Sequence, residues 1–256
     1  MKQLMTIALL TICFVQAKAQ ETTEGEKSTA INADLPDETE ETDLLEKGQL
    51  QGEFAYLYTG FDKGVQPAIF QGLIRYGLFE RLELRALIED GRGRDRYIKE
   101  TVQSTAPLAL SAKVCLLKQH AVLPDITLVA YLKLPFTSRS SDQLPYWSPN
   151  TSLAFQHRLG EAWKLEYNFG AQQEVYSTHW AGFANASLHY RTKERVDVFA
   201  EYYGQYQKGE DPRHNAGAGL FIHAASKLGF YAVGGRSIEY QPANYFLSGG
   251  LVVRMP

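Results

Sequence analysis

The chain has 256 residues, 45% of them hydrophobic and 12% aromatic, with 26 Lys and Arg against 29 Asp and Glu for a formal net charge of −3. This balance, without a basic patch, disfavours nucleic-acid binding. The chain has two cysteines, Cys13 and Cys115. Cys13 lies in the N-terminal leader described next, so the mature chain would keep only Cys115 and could form no intrachain disulfide.

The beginning of the chain has the pattern of a secretory signal peptide. Met1 and Lys2 form a short basic region, and Leu4 to Val15 is apolar. Ala17-Lys18-Ala19 is a small-residue cleavage site, so residues 1–19 are predicted to be removed near Ala19. The apolar run is too short to span a bilayer.

Cys13 leaves a lipoprotein signal as an alternative. Leu10 precedes it by three residues, as such a signal requires, but Ile12 stands where a small residue is usual. The signal-peptide interpretation is therefore favoured.

An acidic segment follows the leader, and residues 20–47 are predicted to form a short N-terminal region of their own. Glu21 to Asp43 carries a net charge of −8, whereas residues 44–256 carry +3. This composition favours a disordered tail for Glu21 to Ala30. For Ile31 to Asp43 the opposite charges favour a plug that enters the following domain and pairs with inward Arg and Lys, the alternative being a periplasmic tail.

From Gln49 onward the chain alternates between apolar and polar residues, which is typical of β-strands. Ser152 to Gln172 is the clearest example, a hairpin around Gly160-Glu161 in which Trp163, Leu165 and Tyr167 lie on one face. About twelve strands are predicted: Gln49–Tyr58, Ala68–Tyr76, Arg81–Glu89, Leu108–Leu117, Asp125–Leu134, Thr151–Leu159, Trp163–Gln172, Gly182–Tyr190, Val196–Tyr206, Asn215–His223, Leu228–Arg236 and Tyr245–Arg254.

The connections between these strands alternate between long and short. An even strand count, short turns on one side and long loops on the other are typical of a transmembrane β-barrel with both termini in the periplasm. Aromatic residues on the apolar faces suit the membrane interfaces of such a barrel: Tyr56, Tyr58, Phe70, Tyr76, Trp163, Tyr167 and Tyr202. The alternative is an ordinary aromatic core in a soluble sandwich or lipocalin. The sequence thus predicts an all-β, antiparallel up-and-down transmembrane barrel over residues 48–256.

Several short stretches resemble the bacterial outer-membrane family named for the meta-pathway of phenol degradation. They are Ala33-Asp34-Leu35-Pro36, Thr39-Glu40, Lys47-Gly48, Leu73 to Leu78, Arg81 to Arg85, Leu132 to Pro135 and Pro242 to Phe246. Leu35, Glu41 and Glu46 depart from the usual Arg, Ser and Pro. The resemblance implies an outer-membrane barrel that transports small molecules, with hydrophobic or aromatic compounds as one candidate class. The end of the chain, Val253 to Pro256, lacks the aromatic residue that usually aids insertion.

Charged residues on the inward-facing side of the strands are the candidate lining of a solute path. They are Arg75, Glu83, Arg85, Lys133, Arg158, Lys164, Glu166, Asp197, Glu201, Arg236 and Arg254, with Asp34, Asp37, Glu38 and Glu40 as the plug. Mixed charges at this density are expected to pair across strands. The alternative is a polar interior that only stabilises the barrel.

An enzyme is not predicted. Ser187 and His189 share a strand face as a nucleophile and base would, but the apolar face of the next strand offers no acidic third member. The histidines lack metal-ligand spacing, and no metal or cofactor is expected. The expected partners are outer-membrane lipid, a small-molecule solute and the barrel-assembly machinery during insertion, with no nucleic acid. The alternative function is a structural or adhesive barrel whose long loops bind a partner.

Overall fold

The structure, a computed structural model, describes residues 31–35, 38–61, 64–65, 69–94, 101–103, 106–119, 122–138, 146–192, 195–238 and 244–255. The predicted signal peptide lies outside these residues. Within them the chain forms fourteen strands and one short 3-10 helix, Pro135–Thr137. No helix in the described ranges is long and apolar enough to cross a membrane.

The strands follow one another in a simple antiparallel order. They are β1 (Leu50–Phe61), β2 (Gly64–Val65), β3 (Ile69–Phe79), β4 (Leu82–Arg94), β5 (Thr101–Gln103), β6 (Ala109–Leu117), β7 (Asp125–Lys133), β8 (Ser148–Leu159), β9 (Trp163–Gln173), β10 (Trp180–Arg191), β11 (Val196–Gln207), β12 (Arg213–Ala225), β13 (Leu228–Ser237) and β14 (Asn244–Met255). β2 and β5 are short pieces that pair with the ends of β1 and β4.

The other twelve strands close into a barrel. Each pairs with its neighbour in the chain, and β1 pairs with β14 from Leu50 opposite Met255 to Phe61 opposite Asn244. Closure leaves no free sheet edge, so the backbone groups of the spanning strands find partners within the wall. The predicted antiparallel up-and-down barrel of about twelve strands is confirmed.

The two faces of the wall are those of a membrane barrel. Tyr56, Tyr76, Trp163 and Phe169 are exposed on the outer face, whereas Arg75, Lys113, Glu53, Glu83 and Glu166 are among the most buried side chains of the protein. Charged side chains inside and apolar ones outside reverse the pattern of a soluble protein, and the outer band matches a lipid-facing surface. The alternative of a soluble sandwich with an aromatic core is therefore wrong.

One side of the interior is apolar, which the sequence did not predict. Inward residues of β11–β14 and β1 form two clusters against the inner wall. The first contains Ala55, Phe221, Tyr231 and Val252, and the second contains Leu57, Phe199, Tyr203, Val233 and Phe246. The interior therefore has an apolar, aromatic side and a charged side, the latter on β3, β4 and β6.

Gly77 lies where the end of the N-terminal segment packs directly against the backbone of the wall. Its carbonyl accepts a hydrogen bond from the Gly48 amide at 2.7 Å, and its own amide donates to the Gln49 carbonyl at 3.0 Å. A Cβ at position 77 would collide with the Glu46 carbonyl and lie 2.8 Å from that of Leu45. Only a residue without a side chain fits this approach.

Replacing Gly77 with alanine should therefore push the segment away from the wall at Leu45 and Glu46. Overpacking of this kind typically costs about 1–3 kcal/mol, and it leaves every charge of the interior in place. Chemical unfolding from lipid vesicles measures the cost. Gly182→Ala is the matched control, because a Cβ there would have its nearest neighbours at 3.8 and 3.9 Å. Equal stability of the two variants would contradict the prediction.

Candidate functional site: the charged interior and the N-terminal segment

The backbone of the N-terminal segment is held by inward-facing side chains of the barrel. The amides of Asp34 and Leu35 donate to Glu53 Oε2 at 2.8 and 2.9 Å. Further along, the Glu38 amide donates to Glu201 at 2.9 Å and the Leu45 amide donates to Glu83 at 2.7 Å. Buried backbone amides need partners, and a segment outside the sheet must find them on side chains. Carboxylates of β1, β4 and β11 supply them here.

Side-chain amides on β9 and β10 continue this pattern. Asn168 accepts a hydrogen bond from the Glu40 amide at 2.6 Å and donates to the Glu40 carbonyl at 3.0 Å. Asn185 donates to the Glu38 carbonyl at 2.7 Å. The described residues of the segment therefore contact strands from opposite sides of the barrel.

Asp34 lies at the centre of a buried ionic cluster. Its carboxylate is 2.8 Å from Arg85 Nη1, 3.3 Å from Arg75 Nη1 and 2.9 Å from Lys113 Nζ. All four side chains are almost completely shielded from solvent. Burial alone would disfavour ionisation, but the three cations outweigh it and hold the pKa of the Asp34 carboxyl well below its usual range. Asp34 is therefore an anion bound by three cations.

The same cations have different partners on the wall. Arg75 is fixed by Glu53 at 3.0 Å and by Glu83 at 2.8 Å. On the wall, Arg85 donates to the Ser111 hydroxyl at 3.1 Å and lies 4.6 Å from the centre of the Tyr131 ring. Besides Asp34, the carboxylate that contacts Arg85 is Glu40, which also belongs to the segment. Glu40 lies 2.8 Å from Arg85 Nη1 and accepts a hydrogen bond from the Tyr131 hydroxyl at 2.6 Å.

A second cluster surrounds Glu41. Lys164 Nζ lies 2.8 Å from Glu41 and 3.1 Å from Glu166, so one ammonium serves two carboxylates. Glu41 Oε2 is buried without a hydrogen-bond partner among the described residues. Burial and repulsion from Glu166 outweigh the attraction of Lys164 and raise the pKa of Glu41 to about 7. The carboxyl is therefore poised to change its charge near neutral pH.

The charged residues beside the short turns form a more open zone. Arg158 pairs with Asp43 at 3.1 Å and with Asp125 at 3.0 Å. Arg158 and Asp43 border a cavity of about 630 Å³ that is also lined by Lys164, His223 and Arg254. The cavity connects the segment with the edge of the barrel where the short turns and both ends of the described sheet lie.

Comparison with known proteins places this geometry in a family. The family model described as "Putative MetA-pathway of phenol degradation" matches residues 33–255. The chain belongs to this family. The match includes the segment from Ala33 onward as well as the barrel, so it covers both parts of the interior, and the resemblance predicted from the sequence is confirmed. Among curated proteins none matches the chain.

Solved structures with this fold are outer-membrane proteins. An outer membrane channel from Pseudomonas putida F1 is 16% identical, with a TM-score of 0.63, over 84% of this chain and 98% of that one. The KdgM porin is 10% identical, with a TM-score of 0.54, over 78% of this chain and 98% of the porin. The NanC porin is 6% identical, with a TM-score of 0.57, over 80% of this chain and 100% of the porin. The chain thus has the fold of an outer-membrane β-barrel.

Most residues predicted to line the lumen of this family member point inward. Arg75, Glu83, Arg85, Glu166 and Glu201 are buried in the interior. Lys133 lies 3.9 Å from Glu89, and Arg254 donates to Gln51 at 3.3 Å. Asp197 pairs with Arg191 at 2.8 Å and with His223 at 2.9 Å, without help from the segment. Of the predicted plug residues, Asp34, Glu38 and Glu40 contact the wall, and Asp37 lies outside the described residues.

The prediction that Arg236 faces the lumen is wrong. It is opposite Ala216 and Tyr245 and shares its side of β13 with the exposed Phe230. Gly234 and Gly235 hide the alternation in this strand, which explains the error. Arg236 lies near the strand end, where a long cationic side chain can reach the polar interface from a lipid-facing position.

Several interior residues that contact the segment were not predicted as site residues. Lys113 and Glu53 are the main ones, and Tyr131, Asn168 and Asn185 complete the set. All lie at inward positions of their strands, so the alternation of polar and apolar residues predicts that their side chains point inward. Their partners on the segment could not be read from the alternation.

Ser187 and His189 also face the interior rather than the bilayer. Ser187 Oγ lies 2.7 Å from His189 Nε2, and the same nitrogen lies 2.9 Å from Glu166. A catalytic base needs one ring nitrogen for the nucleophile and the other for the orienting carboxylate. This arrangement therefore does not support hydrolysis of membrane lipid. The described residues contain no group of three His, Cys, Asp or Glu placed to hold a metal ion.

Proposed function

We propose that this protein is an outer-membrane channel for small molecules and that residues 31–45 act as a plug that closes its lumen. The observation that supports this most is the placement of Asp34 among Arg75, Arg85 and Lys113, with backbone contacts from the same segment to Glu201 on the far side. A twelve-stranded barrel is too wide to be filled by its own side chains in the way of an eight-stranded one. The segment occupies the part of the lumen that the side chains of the wall do not fill.

The charges of the two parts support a reversible association. Residues 31–45 contain six acidic residues and no basic one, for a charge of −6, whereas residues 46–256 carry +3. Ionic contacts of this kind hold the segment without a covalent link, and its departure exposes a polar, charge-lined path. We further propose that the leader is cleaved near Ala19 and that both termini are periplasmic, because the short turns lie at the edge where β1 begins and β14 ends.

The experiment is a deletion of residues 31–45 from the full mature chain, measured in planar lipid bilayers. We expect discrete, larger conductance steps than in the wild type, together with lower stability because buried cations lose their partners. Deletion of residues 21–30 is the control, and it should leave conductance unchanged. Unchanged conductance and stability after removal of 31–45 would refute the plug. Electrical silence of both variants would favour a structural or adhesive barrel instead.

The barrel itself can be checked on a denaturing gel. The closed sheet should resist detergent until it is heated, so unheated and boiled samples should migrate at different positions, and the protein should fractionate with the outer membrane. A soluble periplasmic protein with a single band position would contradict this assignment. The test is independent of transport.

A further inference from the structure

The cations around Asp34 are supplied with carboxylates by a part of the chain that is not in the wall. Within the described residues, the carboxylates that pair with Arg85 are those of Asp34 and Glu40, and the one that pairs with Lys113 is that of Asp34. Both cations are fully buried. A buried charge without a partner is strongly disfavoured. If the segment withdraws, Arg85 and Lys113 lose these carboxylates and line the opened lumen, where the carboxylate of a solute can take the position of Asp34.

The coordination of Asp34 shows what kind of anion fits. Lys113 Nζ contacts both carboxylate oxygens, at 3.0 and 2.9 Å, and Arg85 Nη1 contacts Oδ2 at 2.8 Å. Arg75 adds a third cation at 3.3 Å from the same oxygen. This is a site built for one planar carboxylate, in which the charged hydrogen bonds are of the strong kind.

The residues beside Asp34 show what kind of group fits next to the carboxylate in this site. Ile31 and Ala33 are buried against Ala55, Phe221, Tyr231 and Val252, and Leu35 packs on the same cluster. The segment thus presents apolar groups to the aromatic side of the interior and a carboxylate to the charged side within the same few residues. The two sides of the barrel meet at this level, because Glu53 binds the amides of Asp34 and Leu35 and also contacts Arg75.

We propose that this place in the lumen is a binding site for a small organic carboxylate with an apolar body, for which residues 31–35 are a tethered substitute. The site deepens the proposed channel function, on which it rests, by naming the chemistry of the solute. The carboxylate takes the position of the Asp34 side chain between Arg85 and Lys113. The apolar body takes the place of Ala33 and Ile31 against Phe221 and Tyr231. Such a solute competes with residues 31–35 for the site, so its binding displaces the segment and opens the lumen.

The test uses phenylacetate and its neutral amide, phenylacetamide, as probes of the full-length protein in detergent, with isothermal titration calorimetry as readout. In Asp34→Ala the substitute carboxylate is gone, and phenylacetate should bind at least ~10-fold more tightly than to the wild type, a change typical of one strong charged contact. Phenylacetamide should gain nothing. Adding Lys113→Met to Asp34→Ala should abolish the gain, whereas adding Lys133→Met, a wall cation paired with Glu89, should preserve it.

A gain shared by acid and amide, or one that survives Lys113→Met, would overturn the proposal. A second measurement covers the case in which Asp34→Ala does not fold. Thr39 is fully buried in the segment, so a Thr39→Cys thiol should react slowly with a soluble maleimide. Phenylacetate should accelerate this labelling and phenylacetamide should not; equal rates with both would also overturn it.

The outcomes separate this site from the channel function. Binding of phenylacetate with electrically silent bilayers would keep the site and refute the channel. Conductance in the segment deletion without preference for the acid in either assay would keep the channel and refute the site.

Discussion

Replacing Arg75 with methionine should destabilise the folded barrel by roughly 3–5 kcal/mol, the usual cost of removing one partner from a buried ionic cluster. Arg75 is fully buried and contacts three carboxylates, those of Asp34, Glu53 and Glu83. It also donates to the Asp43 carbonyl at 3.3 Å, so it links the wall to two points of the segment. Methionine fills similar space but leaves Glu53 and Glu83 close together without the cation that pairs with both of them.

Urea unfolding from lipid vesicles, followed by gel mobility, measures this loss. Arg191→Met is the matched control, because Arg191 also pairs with a carboxylate, Asp197 at 2.8 Å, but its side chain is 53% exposed. An exposed pair typically contributes about 0–1 kcal/mol. Adding Glu83→Gln to Arg75→Met should recover part of the loss, since one unpaired charge is removed. A loss in Arg75→Met no larger than in Arg191→Met would contradict the central role of this cluster.

The local pattern of the sequence was enough to find the strands. The hairpin of β8 and β9 alternates cleanly, and its predicted second strand ends one residue from the observed Gln173. β4 runs beyond the predicted Glu89 to Arg94, because its end pairs with β5 in a connection whose sequence has no clear alternation. β10 alternates less clearly in sequence than its neighbours. Its inward Asn185 and Ser187 are polar, but several outward residues are alanines, so the contrast between its faces is small.

The contents of the interior were less predictable. The alternation predicts whether each residue faces the interior or the outside of the barrel, but it does not show which residues from different strands contact each other. Asp34 reaches Arg85 over 51 residues and Lys113 over 79, and such pairings depend on closure of the sheet. The apolar side of the interior was missed for a related reason. Phe199, Phe221 and Phe246 look like interruptions in a polar series until the curved wall brings them together.

The second large effect concerns pH and depends on Glu41. Burial raises the pKa of its carboxyl from 4.5 to about 7, with Glu166 adding repulsion and Lys164 opposing it. The docked segment therefore binds a proton that the released segment, exposed to water, does not hold. The contribution of Glu41 to docking is complete near pH 4.5 and is lost as the pH rises to about 7, by up to about tenfold in the docking equilibrium per pH unit. Asp34 does not cancel this trend, since its pKa is held far below the window and it stays ionised throughout.

The channel should accordingly open more often at about pH 8 than at about pH 5, because the docked form loses its advantage across this interval. Single-channel recordings of Glu41→Gln should show little pH dependence, since the amide stays neutral and fits the same place beside Lys164. Other charged groups act on Glu41 from the wall and the segment, namely Lys164, Glu166, Arg191, Asp34 and Asp43. His189 contacts Glu166 at 2.9 Å on the wall side of this cluster, so His189→Gln is the control. If His189→Gln abolished the pH response and Glu41→Gln preserved it, the response would arise from His189 on the wall rather than from Glu41 on the segment.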